Sequence, residues 1–347
     1  MPNPAWDGGP SDWADPLQGL RCRKSGRIPY DQQVDQPFAS PIAPSSSSSA
    51  LPEATTWTGA EILNWRRDML EIGGRAPDLD WLLDMAGGIS WPKIQTLRLH
   101  PNCFFNICQP LSELERLWLC HLETAEPLQY LVGRCPWRDL ELQVGPGVLI
   151  PRQESELLVE LALSLAPSSL FDGISCTWAD LGTGSGCLAI ALAQALPRSH
   201  GLATDISSDA LAFARANAHR SKVSQRIEML ISSWWQGLEP WSGKFALVLA
   251  NPPYIPRDTM ETLEPGVRLH EPLLALDGGA DGLVALRQVV KGARQGLAPG
   301  GVIALEHHHD QSDAVCALLQ EAGLVAVASH RDLEGITRFA SARRCGP

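Results

Sequence analysis

Apolar residues along the chain follow two different spacings. In "TWTGAEILNWRRDML", from Thr56, the residues Ile62, Leu63, Met69 and Leu70 recur at helical intervals. Thr58 and Glu61 stand at capping-box spacing ahead of them, which starts a helix. "PDLDWLLDMAG" predicts a second helix ending at Gly87. "LSELERLWLCHLE" predicts a further one, with Ser112 and Glu115 again at capping-box spacing. Residues 53–128 thus read as a small helical domain. Beyond it, "DLELQV" alternates between glycine and proline signals, so residues 129–152 predict a short hairpin that links two domains.

Over residues 153–347 the spacing changes to strand–helix–strand. The runs "CTWADL" (176–181), "GLATDI" (201–206), "IEMLI" (227–231), "FALVLA" (245–250) and "GVIALE" (301–306) are apolar strands with helical stretches between them. Such alternation predicts an α/β domain with a mostly parallel sheet covered on both faces, and ligands at the carboxyl ends of its strands. "LVAVASH" (324–330) and "ITRFASAR" (336–343) predict a closing antiparallel hairpin, giving seven strands. The outline resembles the Rossmann-like class I methyltransferases, which depend on S-adenosyl-L-methionine (SAM).

Composition changes the picture at one end. Residues 1–52 hold nine of the 27 prolines and end in "SPIAPSSSSSALP". Such a segment buries too little apolar surface to offset its ordering entropy. It reads as a disordered extension or a mis-assigned translation start, with no function of its own. The net charge of −11 argues against a large surface that neutralises nucleic-acid phosphates. Residues 53–128 carry eleven acidic residues against six basic ones, so they make no obvious DNA clamp. The nine cysteines form no CxxC pair and their number is odd, which argues against a disulfide framework or zinc knuckle and fits a reducing cytoplasm. No basic segment followed by an apolar one opens the chain, so no signal peptide is expected. No apolar run reaches the roughly 18 residues of a membrane span. A cytoplasmic protein without nucleic-acid or membrane partners is expected, and a monomer.

The candidate chemistry lies at two strand ends. "DLGTGSG" (180–186) follows the first strand and opens a helix. Its glycines let the backbone turn tightly and approach a ligand, and a helix N-terminus supplies N–H groups. The next strand ends at Asp205, whose carboxylate suits the two hydroxyls of a ribose. The loop begins at Asp180 and lacks the spaced G-x-G-x-x-G of dinucleotide sites, which favours SAM over a pyrophosphate-bearing cofactor.

"NPPY", Asn251 to Tyr254, follows the fourth strand at the same sheet edge. A conjugated NH2 is a poor nucleophile because its lone pair is delocalised. Two fixed acceptors for its two N–H bonds help it turn tetrahedral toward a sulfonium methyl. The Asn251 side-chain oxygen and the Pro252 carbonyl can be those acceptors. Pro252 and Pro253 stiffen that carbonyl, and Tyr254 can pack against the planar group. Adenine N6, cytosine N4 and a glutamine amide all present such an NH2, so this motif leaves the substrate open.

From about residue 57 to 343 the chain resembles the peptide chain release factor N5-glutamine methyltransferases. The resemblance rests on "EPLQYLVG" (126–133), "VLIPRQESELLVE" (148–160), "DLGTGSGCLAIALA" (180–193), "DISSDALAFARANA" (205–218), "NPPYIP" (251–256), "VRLHEPLLALDGGADGL" (267–283) and "DLEGITRFASAR" (332–343). It implies methyl transfer from SAM, leaving S-adenosyl-L-homocysteine, to N5 of the glutamine in the Gly-Gly-Gln motif of release factors. It implies that Gly182, Thr183, Gly184, Ser185 and Gly186 line the methionine part of SAM, that Asp205 holds the ribose, and that Trp234 lies beside the adenine. Asn251, Pro252, Pro253 and Tyr254 would clasp the substrate glutamine, with Asn251 also facing the cofactor. Arg152 and Glu156 would order the segment that covers the cofactor, and residues 53–128 would recognise the substrate.

Three departures stand out. Ser233 replaces an acidic residue before Trp234, which puts the strength of the adenine contact in doubt, and Gln153 replaces a frequent proline. "EHHHDQ" (306–311) replaces Glu-x-Gly-x-x-Gln; its adjacent histidines point apart, so a solvated loop and no metal are expected. Competing readings are a DNA adenine or cytosine amino-methyltransferase, a ribosomal-protein glutamine methyltransferase, and a non-catalytic SAM-binding protein. The first needs a basic groove-reading surface, the second usually carries a Ser-Pro-rich segment after its arginine, and the third would be expected to lose the intact NPPY.

Overall fold

The computed structural model describes residues 55–170 and 177–346, so the extension at 1–52 lies outside the described residues. A short strand β1 (Thr55–Thr58) leads into α1 (Gly59–Ile72). Thr58 and Glu61 cap that helix reciprocally. Glu61 N–H donates to Thr58 Oγ1 at 3.2 Å, and Thr58 N–H donates to Glu61 Oε2 at 2.7 Å. α2 (Ala76–Met85), α3 (Trp91–Leu99), β2 (Phe104–Ile107), α4 (Leu111–Thr124) and α5 (Leu128–Val132) follow. β1 and β2 pair antiparallel.

One cap differs from its expectation. Pro110 takes the N-cap position of α4, no side chain caps the helix, and Ser112 lies inside its first turn. Leu111 and Leu114 are buried, and Pro110 presets its own φ, so burial and proline together start the helix ahead of Ser112. The helices close around Ile62, Leu79, Leu82, Leu114 and Trp118, all fully buried in one apolar cluster. Trp118 Nε1–H donates to Met69 O at 3.2 Å, which satisfies its polar edge.

β3 (Arg134–Trp137) and β4 (Leu140–Gln143) form a small antiparallel hairpin. The large sheet is built from β5 (Thr177–Leu181), β6 (His200–Asp205), β7 (Ile227–Ile231), β8 (Phe245–Ala250), β9 (Leu297–Glu306), β10 (Val325–Arg331) and β11 (Thr337–Arg343). Its order is β10-β11-β9-β8-β5-β6-β7. Pairs from β9 to β7 are parallel, while β11 pairs antiparallel with both β9 and β10. The helices α6 (Glu156–Leu165), α7 (Cys187–Ala195), α8 (Ser208–Arg220), α9 (Pro265–His270), α10 (Leu273–Leu276), α11 (Val284–Gly296) and α12 (Ser312–Glu321) complete the chain. β8 is buried at every position, as expected of a parallel strand with both faces covered.

β5 is the switch point: the chain winds outward to β6 and β7 on one side and to β8 and β9 on the other. A crevice at the carboxyl ends of the strands follows from that topology. The helical region reaches the same edge. His270 Nε2, at the end of α9, lies 2.9 Å from Thr124 O, at the end of α4. Among the described residues no helix is long and apolar enough to cross a membrane.

Candidate active site

A cavity of about 320 Å³ lies at the carboxyl ends of β5, β6, β7 and β8. That volume is in the range of small-molecule sites, about 300–1,000 Å³. Gly182, Thr183, Gly184 and Ser185 line it from the turn after β5, Asp205 from the end of β6, Trp234 from beyond β7, and Asn251 and Pro253 from beyond β8. Arg152 and Ser155 line it from the segment before α6. Gly186, Pro252 and Tyr254 do not line it. Gly186 caps α7, Pro252 is buried beneath the motif, and Tyr254 turns its hydroxyl to Glu306.

The glycine turn is held by buried polar groups. The N–H groups of Gly182 and Thr183 both donate to Thr204 O at 2.8 Å, so they brace the loop against β6. Thr183 Oγ1–H donates to Asp180 Oδ2 at 2.6 Å, and Ala189 N–H donates to the same oxygen at 3.1 Å. Asp180 is fully buried, and burial pushes its carboxyl up to about 7. Asn217, also buried, donates from Nδ2 to Ser185 O and Gln143 O, tying the loop to β4.

Asp205 is set for two donors. Its Oδ2 accepts from Gly184 N–H and its Oδ1 from Ser207 N–H, both at 2.9 Å. Each oxygen keeps a further lone pair, which matches a vicinal diol. Burial raises its carboxyl above the usual range, and the backbone N–H groups of Ser207, Gly184 and Ile206 counter that. Trp234 gives a flat wall close to the turn: a Cβ on Gly182 would lie 3.1 Å from its ring. Ile206, which the sequence reading passed over, also lines the cavity and is 55% exposed although apolar. A nucleoside with two ribose hydroxyls and a planar base, as in SAM, fits these groups.

The NPPY turn is clamped from below by "LDGGADG". Ile255 bridges to Asp277; Ile255 N–H donates to Leu276 O and Gly278 N–H to Ile255 O. A Cβ on Gly278 would meet Tyr254 Cα at 2.8 Å, and one on Gly282 would meet Tyr254 O at 2.4 Å. The glycines are there because the NPPY backbone occupies the space. Gln311 Nε2–H donates to Tyr254 O at 2.9 Å from the other side.

A buried carboxylate lies behind the motif. Glu306 Oε1 accepts from Tyr254 O–H at 3.1 Å, and Oε2 accepts from Ser155 Oγ–H at 2.6 Å. Ser155 Oγ in turn accepts from Asn251 Nδ2–H at 3.1 Å. Burial raises Glu306 above the ordinary carboxyl range, and it raises the Tyr254 phenol, so Tyr254 stays a neutral donor.

The expectation for Arg152 and Glu156 divides between two sets of partners, and that for the histidine run is corrected. Arg152 pairs with Glu271 at 2.6 Å, and the same Glu271 accepts from Ile150 N–H at 3.1 Å. Glu156 instead accepts from Arg138 N–H at 2.9 Å, outside the cavity lining. The histidine run is not uniformly solvated: His307 is fully buried, because its backbone extends the β9–β11 ladder by donating to Arg338 O. Ser155, Glu271, Glu306 and Gln311 went unnoticed as site residues in the sequence. Their only signal was membership of the motifs around "RQESE", "HEPL" and "EHHHDQ".

Comparison with known proteins adds to this geometry. Residues 156–263 match the model of the methyltransferase small domain. The release factor glutamine methyltransferase of Prochlorococcus marinus is 47% identical over 288 residues, covering 83% of this chain and 98% of that protein. Its counterpart from Synechocystis sp. is 38% identical over 299 residues, covering 82% of this chain and 97% of that protein. The solved structure of protein-(glutamine-N5) methyltransferase (release factor-specific) from Alicyclobacillus acidocaldarius is 28% identical, covers 59% of this chain and 99% of that one, and has a TM-score of 0.34. With identity of this order across nearly the full length of the curated relatives, the chain belongs to the release factor glutamine methyltransferase family.

Proposed function

We infer that this chain transfers a methyl group from SAM to the side-chain N5 of the glutamine in the Gly-Gly-Gln motif of peptide chain release factors. The observation that carries the reading is Asn251, whose side-chain amide lies in the wall of the same cavity as Asp205. Bound SAM supplies an electrophilic methyl on a sulfonium. The chain's residues supply position and dipoles. Asp205 takes the ribose hydroxyls, and Trp234 flanks the base. Asn251 Oδ1 accepts one N5–H of the substrate amide, and the Pro252 carbonyl, stiffened by two prolines, accepts the other. These acceptors draw the amide nitrogen toward tetrahedral geometry and its lone pair toward the methyl. Methylation would make the remaining nitrogen proton acidic enough to pass to water, so no strong base is required. Most of the acceleration is alignment and preorganised electrostatics.

Residues 53–128 are proposed to dock the release factor, supported by the contact between His270 and Thr124 beside the site. The setting is proposed to be the cytoplasm. The test is transfer from radiolabelled SAM to a purified release factor and to its Gly-Gly-Gln→Gly-Gly-Ala variant. The first is labelled and the second is not; equal labelling of both overturns the substrate assignment.

A further inference from the structure

We propose that Glu306 is a positioning residue that sets which way the Asn251 side-chain amide faces, acting through Ser155. The inference rests on the reading of Asn251 as the acceptor for the substrate amide. A primary amide has two nearly isosteric ends, an oxygen that accepts and an NH2 that donates. Shape cannot choose between them. Turned the wrong way, Asn251 would present its own donors to the donors of the substrate, and the grip would become a repulsion.

The choice is made by where one proton goes. Ser155 Oγ has a single proton and two lone pairs. That proton is committed to Glu306 Oε2 at 2.6 Å. A short bond to a carboxylate is stronger than a neutral one. Ser155 and Glu306 are each 2% exposed, so no bulk water competes for it. Ser155 can therefore only accept from Asn251, and it does so from Nδ2 at 3.1 Å. The NH2 end is drawn inward and Oδ1 is left for the cavity. Among the described residues Asn251 Oδ1 makes no hydrogen bond.

Glu306 suits this task better than a neutral group. Among the described residues its two oxygens accept from two hydroxyls, Ser155 and Tyr254, and from no backbone N–H. Burial opposes the charge, and the two hydroxyl donors counter that by favouring the ionised form; an ionised carboxylate accepts at both, so both protons are fixed by one group. The Tyr254 hydroxyl is thereby committed as well. A glutamine at 306 offers an NH2 donor group in place of one accepting oxygen. One hydroxyl must then reverse, and the Asn251 orientation becomes degenerate.

The test uses the full chain with Ser155→Ala, Glu306→Gln and the double variant. Each single change lowers kcat roughly 10- to 100-fold and leaves the SAM KM within about two-fold. Because Glu306 acts on Asn251 only through Ser155, the double variant loses much less than the product of the two single losses. Losses that multiply, or a Ser155→Ala enzyme with wild-type kcat, overturn the proposal. A second readout follows the side-chain NH2 of Asn251 in protein labelled with nitrogen-15 at its six asparagines. Its hydrogen exchange is slow in the wild type and faster in Ser155→Ala; unchanged exchange overturns the proposal. The exchange measurement uses no substrate, so it decides the positioning role whatever the labelling experiment returns for the Gly-Gly-Gln reading.

Discussion

Asp205 already holds a backbone N–H on each oxygen before any ligand arrives, so its remaining lone pairs are aimed. Asp180, one turn of chain away from the cavity, has a different task. It is buried with Thr183 and Ala189 on one oxygen and none on the other. Burial moves its carboxyl from 3.8 to about 7, so the folded chain holds this proton more tightly than the unfolded one. Its stabilisation is complete below the unfolded value, near pH 4, and is lost as pH rises through about 7. At about 1.4 kcal/mol for each pKa unit, the loss is on the order of 4 kcal/mol. Asp180→Asn removes the titrating group. The urea midpoint of the wild type is expected to fall between about pH 5 and pH 8 more steeply than that of Asp180→Asn; parallel slopes would refute this.

At the scale of elements, the active-site floor is a meeting of two backbones, NPPYIP and the 277–283 loop. Gly282 has a φ of +73°, and a Cβ there would lie 2.4 Å from Tyr254 O and 2.3 Å from Gln311 Nε2. Gly282→Ala is expected to cost about 1–2 kcal/mol for its backbone conformation alone. Displacement of the NPPY turn adds to that, so turnover should fall further than SAM affinity, as compared by calorimetry and single-turnover rates. The strands of the large sheet were legible in the sequence because each is an apolar run between turn signals. The helix α3 was not: Trp91 is 64% and Leu99 75% exposed, so its apolar residues do not mark a single face. Nor could the sequence disclose the Asn251–Ser155–Glu306 chain. Its members stand 96 and 151 residues apart, and only the crossing of β8, β9 and the segment before α6 brings them together.

For the whole molecule, the helical region and the sheet meet next to the site. His270 touches Thr124 O, and a Cβ on Gly266 would lie 3.1 Å from Ala125 O. If residues 53–128 dock the release factor, this joint sets the distance from docking face to cavity. His270→Ala should then raise KM for the whole release factor and leave KM for a short Gly-Gly-Gln peptide nearly unchanged. Equal changes for both substrates would remove the docking role. The sheet itself poses a different problem. β8 is buried along its whole length, and β9 is apolar from Val302 to Leu305, so neither face of these strands distinguishes one alignment from the next. Hydrophobic alternation, the usual guard against slippage, is silent here. In the observed pairing Ala250 lies opposite Leu305, which brings Asn251 level with Glu306. A slip by one residue would keep the grease and strand the carboxylate, leaving a buried charge without its hydroxyls, at a cost of several kcal/mol by general estimates. The polar chain beneath the NPPY turn is therefore also a frame marker: a misthreaded sheet is penalised at the one place where the error would silence the enzyme.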